Sequence, residues 1–100
     1  MNKDRINYLI NNPSDVIEDY ELIDIYRGKC IVCRHPAYTI HEIHPKSLLI
    51  SWRRWINRVL LCPVCHDTAH KRGTISSRDY LINYRNQRLG EYWNVWLTQH

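Results

Sequence analysis

Two C-x-x-C pairs stand in this chain, Cys30 with Cys33 and Cys62 with Cys65, and twenty-eight residues separate them. Two residues between cysteines let both sulfurs turn to one cation, and two such knuckles supply the four thiolates of a tetrahedral zinc site. The alternatives are two disulfides or a dithiol redox centre. With no basic leader running into an apolar stretch and a small-residue cleavage site, a reducing compartment is expected, and there metal is favoured over disulfide. Zinc held by four thiolates has no open position for water, so this site is expected to staple the fold and not to catalyse.

The histidines suggest different chemistry. His66 and His70 lie four apart in "PVCHDTAHKR", a segment expected to be helical, so their rings project from one face a turn apart. By itself such a pair is often only a polar helix face. His41, in the β-prone run "AYTIHEI" after the first knuckle, would be brought near that helix by the cysteine tie and could supply a third ligand. Three imidazoles would leave coordination positions for water and phosphate oxygens, and open positions permit chemistry.

Taken together, "IHEIHP", then Asn57, then "LLCPVCHDTAH" resembles the HNH endonuclease motif in its zinc-stapled, four-cysteine form. The resemblance covers residues 30–73, with fifteen residues from Glu42 to Asn57 and nine more to His66. It implies a ββα-metal core and a nuclease that cuts DNA and leaves 5′-phosphate ends. His41 would match the family's first metal ligand, His66 and His70 the helix ligands, and Asn57 the central asparagine that fixes the loop orienting the base. Glu42 occupies the position usually held by the general-base histidine, the main departure from the pattern. A carboxylate can take a proton from water once it is partly desolvated. His44, two residues on, would share Glu42's side of a regular strand and is the reserve candidate. The expected reaction is in-line attack of water on a phosphodiester, with Glu42 as base and a divalent ion (Mg2+, Mn2+, Ni2+ or Zn2+) on His41, His66 and His70 stabilising charge on the phosphate and leaving oxygen. The competing reading is a site that has lost catalysis and only binds nucleic acid.

The elements that must position these residues give an α+β chain, read as a single domain over residues 1–100. An N-terminal packing segment spans 1–29, a core with two zinc knuckles 30–73, and a C-terminal helix 74–100. "NKDRINYLINN" predicts a short helix ending before Pro13. "PSDVIEDYELIDIY" predicts a second, capped at Ser14 or Asp15, with Val16, Tyr20 and Ile23 at helical spacing. "RVLLC" reads as the second strand, and Gly73 should stop the histidine-bearing helix. A capping box from Ser76 to Asp79 opens about six turns of helix, with Ile82, Leu89, Trp93, Trp96 and Leu97 on one stripe and Arg78, Arg85 and Arg88 outward.

A chain of 100 residues with 44% hydrophobic and 24% charged residues belongs with globular proteins, and at that size a metal staple helps. No apolar run approaches the ~20 residues that span a bilayer, so no membrane partner and a cytoplasmic location are expected. A net charge of +4 favours an acidic partner, here DNA. Lys46, Arg53, Arg54, Arg58, Lys71 and Arg72 cluster in sequence around the ligands; Arg53, Arg54, Lys71 and Arg72 are the expected backbone contacts, and Trp52 or Trp55 either meets sugar and base or enters the core. His35 and His100 are expected at the surface. Nothing resembles a base-reading helix, so weak sequence preference is expected. The tryptophan-rich terminal helix offers a homodimer seam, and a larger nucleoprotein complex is the other assembly considered. Short, basic nucleases of this type resemble phage-encoded proteins.

Overall fold

The structure, a computed structural model, describes residues 2–44 and 53–98, apart from the side chains at 74 and 95–98. It is an α+β arrangement of four α-helices and one two-stranded antiparallel sheet. The order along the chain is α1 (Lys3–Asn11), α2 (Asp19–Ile25), β1 (Thr39–Glu42), β2 (Arg58–Leu61), α3 (Pro63–Arg72) and α4 (Thr74–Thr98). A single 3-10 turn, Trp55–Asn57, leads into β2.

Helix α1 runs as the sequence predicts. Asn2 accepts the Arg5 amide at 2.8 Å as N-cap, and the helix stops at Asn12, ahead of Pro13. Helix α2 begins later than expected, at Asp19 with Glu18 as cap, and the proposed cap at Ser14 or Asp15 is not formed. The reason is tertiary: the Asp15 carbonyl accepts the Trp55 amide at 2.8 Å and so cannot start a helical ladder. The predicted stripe shifts with the boundary. Val16 and Tyr20 are exposed, while Ile17, Leu22 and Ile25 enter the core.

The strands pair with Ile40 opposite Leu60, His41 opposite Val59 and Glu42 opposite Arg58. Val59, Leu60 and Leu61 are fully buried, because α2 and α3 both pack on β2. Around them lie Leu9, Ile31, Ile43, Trp55, Leu81 and Leu89. Each such aliphatic side chain contributes roughly 1.5–3 kcal/mol on burial. Trp55 belongs to this core: it is 2% exposed, its indole N–H donates to the Asn12 carbonyl at 2.9 Å, and its ring meets Trp93 edge-on. Trp52, Lys46, His100 and the rest of the 45–52 connection lie outside the described residues.

Helix α3 follows β2 through Cys62 and ends at Gly73, whose φ of 84° is a conformation that L side chains rarely adopt. Helix α4 then starts at once, at Thr74 and not at Ser76. Ser77 turns its hydroxyl back to the Gly73 carbonyl at 2.7 Å, so the anticipated capping box does not set the boundary. On α4, Leu81 and Leu89 are buried, and Ile82 and Trp93 pack against the core from its edge. Arg88 does not face outward: it is 6% exposed and its Nε donates to the Ile31 carbonyl at 2.8 Å. Arg85 is half-buried and donates to the Ile56 carbonyl at 2.8 Å. No helix among the described residues is long and apolar enough to cross a membrane.

Candidate metal centres

The four cysteines converge. Their sulfurs all lie within 4.8 Å of one another, Cys33 and Cys62 are 3.5 Å apart, and no disulfide joins them. A tetrahedral zinc with bonds of ~2.3 Å has sulfur–sulfur edges of roughly 3.8 Å, so the cluster fits a structural zinc ion. Local structure builds it from both sides. In the first knuckle the Arg34 amide bonds back to the Cys30 carbonyl at 3.0 Å, which places Arg34 at a left-handed φ of 65°. In the second, Cys62 is the N-cap of α3 and its sulfur accepts the Cys65 amide at 3.4 Å.

Burial opposes ionisation of Cys62, but the Cys65 amide and the neighbouring thiols outweigh it and bring this thiol down to about 7. Burial pushes Cys65 and Cys33 up. The Cys62 thiolate therefore forms readily, and those of Cys65 and Cys33 only with a cation to share, as suits a zinc donor set. His35, exposed as expected, also places its Nδ1 3.2 Å from the Cys33 sulfur, a contact that the sequence reading did not foresee.

The three histidines also converge, although they come from separate elements. His41 projects from β1, while His66 and His70 project from one face of α3. The His41 ring lies 5.3 Å from that of His66 and 5.7 Å from that of His70. The two helical imidazoles approach to 3.1 Å between Nε2 atoms, and one ligand nitrogen from each of the three lies within 4.8 Å of the others. Two nitrogens that share one ion at ~2.0–2.1 Å stand about 3 Å apart, so the donor set fits a small divalent cation. Burial first, then the charges of His66 and His70, lower the His41 pKa to about 4. His66 is lowered by burial and then by His70. His41 and His66 are thus biased to the neutral form, the one that binds metal.

Glu42 is the next residue on β1 and stands across from Arg58. Strand alternation directs it to the opposite face of the sheet from His41. The strand ends there, so alternation does not extend to His44 as the sequence reading assumed. Burial and then Arg78 and Arg85 of α4 lower the His44 pKa. Asn57 is 5% exposed and clasps the main chain of His44 from both sides: its Oδ1 accepts the His44 amide at 2.8 Å and its Nδ2 donates to the His44 carbonyl at 2.9 Å. Its own carbonyl accepts the Ile43 amide at 2.8 Å.

Among the expected contact residues, Arg53 and Arg54 are exposed just before the 3-10 turn. Lys71 is exposed and pairs with Asp67 at 2.9 Å, and Arg72 stacks 4.6 Å over the Tyr80 ring. A surface pair of that kind is worth little and yields readily to a phosphate. No protein-family model matches the chain, and neither the curated proteins nor the solved structures contain a match.

Proposed function

We propose that the chain is a metal-dependent DNA endonuclease of the HNH type, built on a ββα-metal core and leaving 5′-phosphate ends with weak sequence preference. One observation carries the reading. Three imidazoles from two elements meet at ligand distance next to a separate four-thiol cluster, so a closed site and an open one stand side by side. His41, His66 and His70 would hold a divalent ion, which supplies Lewis-acid stabilisation of charge on the scissile phosphate and its leaving oxygen.

The chain's own residues have distinct tasks. Glu42, the last residue of β1, would accept the proton of the attacking water, and its place on the sheet face opposite His41 requires that water to sit past the end of the strand. Asn57 fixes the turn after β1 through its two bonds to the backbone of residue 44, and so holds the acceptor in place. Arg53, Arg54, Lys71 and Arg72 hold phosphates on either side, and none of these contacts reads a base edge.

Supercoiled plasmid incubated with Mg2+, Mn2+, Ni2+ or Zn2+ should be nicked or linearised by the native chain. His66→Ala should lower the rate at least ~100-fold while its circular dichroism stays unchanged. Intact plasmid with every ion would overturn the reading. The second reading, a nucleic-acid-binding module without turnover, is favoured by the carboxylate at position 42, and it predicts salt-dependent DNA affinity with no cutting.

A further inference from the structure

We propose a second phosphate site: the surface pocket lined by Arg27, Lys29, Arg34 and Tyr92 binds a backbone phosphate of DNA at a distinct place from the histidine cluster. The inference rests on the DNA reading above for its occupant, and on the pocket for its chemistry.

Three of the four lining residues are cationic, and the fourth carries a phenol hydroxyl; the pocket has a volume of about 320 Å³. Guanidinium, ammonium and phenol O–H are all donors that a phosphate's oxygens accept. Burial raises the Tyr92 pKa; Arg88 and Arg34 oppose that rise, Glu91 adds to it and Arg27 opposes it. The carboxylates nearby are Glu91, shared between Arg34 at 3.0 Å and Arg88 at 3.2 Å, and Asp24, which lines the neighbouring pocket with Arg27. The three lining cations thus have Glu91 and Asp24 as neighbouring carboxylates, neither of which lines the pocket itself, leaving a local excess of positive charge.

The backbone fixes the places of two of these cations. Arg27 at φ 58° and Arg34 at φ 65° are the only non-glycine residues with positive φ among the described residues, and both line this pocket. That conformation is costly for a branched-off side chain, and glycine or asparagine would adopt it more cheaply. Arg27 also suits the carbonyl end of α2, and Arg34 the turn after Cys33, but neither role accounts for Lys29 and Tyr92 facing the same space.

The test compares full-length, zinc-loaded protein carrying Glu42→Gln with the same protein carrying Lys29→Gln in addition, and with a version carrying Arg27→Asn, which keeps a residue tolerant of positive φ. Affinity for a short DNA duplex is measured across a salt series. Each of the two changes should reduce the slope of log affinity against log salt by about 0.9, the contribution of one phosphate contact. Lys3→Gln, equal in charge to Lys29→Gln but on α1, should leave the slope unaltered. Titration of inorganic phosphate against the Lys29 and Arg34 amide resonances separates a general phosphate site, which shifts them, from one that needs the DNA backbone, which does not. Equal slopes for Lys29→Gln, Arg27→Asn and Lys3→Gln overturn the pocket even if the native chain cuts DNA. Reduced slopes in a chain that never cuts uphold the pocket and discard the nuclease.

Discussion

The Asn57 side chain is tightly constrained, since both ends of its amide bond the main chain of His44 and the residue is buried. Asn57→Ala strands a partly buried amide and carbonyl at residue 44, so urea denaturation should show a loss of about 1 kcal/mol or more, and cleavage should fall with it. For the proton acceptor, Glu42→Gln should abolish turnover with the ion still bound, whereas His44→Ala should be mild; the reverse pattern in rates would transfer the role to His44. Glu42→His should retain cutting and shift its pH optimum. The histidines also make a prediction about acid. His41 titrates near 4 in the fold and near 6.5 when unfolded, so between those values the unfolded chain binds a proton that the folded chain refuses. Stability of the metal-free protein should therefore be fully present above pH 6.5 and decline as pH falls toward 4, in thermal melts taken across that window. The two clusters were legible in the sequence to different degrees: spacing alone pairs the cysteines, whereas His41 joined the helical pair only through the cysteine tie and the family resemblance. The clasp on residue 44 was legible only as a role for Asn57, because which peptide it grips depends on where β1 stops. The His35 contact with sulfur left no sequence signal, since any exposed histidine beside a knuckle looks the same.

At the scale of elements, local signals located α1, both strands and α3, where caps, β-branched runs and a terminating glycine agree with the packing. They failed where a long-range bond took the deciding group. Asp15 looked like a cap, but its carbonyl serves Trp55; Arg88 looked like a solvated cation, but it binds the Ile31 carbonyl across the chain. The second case has a measurable consequence. Arg88, Glu91 and Arg34 link α4 to the first knuckle, the innermost contact being buried and the outermost exposed. Arg88→Leu should cost about 1–3 kcal/mol because it leaves the Ile31 carbonyl unpaired, whereas Glu91→Gln should cost under ~1 kcal/mol; chemical denaturation distinguishes the two.

For the whole molecule, one core among the described residues is shared by every element, and the thiol cluster ties the turn ahead of β1 to the start of α3. Removal of metal should then occur in two stages. A mild chelator should stop cleavage with the melting temperature nearly unchanged, and stripping of thiolate-bound zinc should unfold the chain, as seen by circular dichroism alongside released zinc. Assembly of the two centres could be anticipated from sequence only in outline, because it depends on a four-residue ladder whose pairing no motif encodes. That ladder sets His41 against Val59, and neighbouring positions on a strand look in opposite directions. Losing a single codon between Thr39 and His41 would therefore turn the imidazole to the far side of the ribbon. The gene would still yield a stapled little protein, but one whose third imidazole no longer meets the helical pair: strand register and the histidine cluster are guarded by the same few rungs.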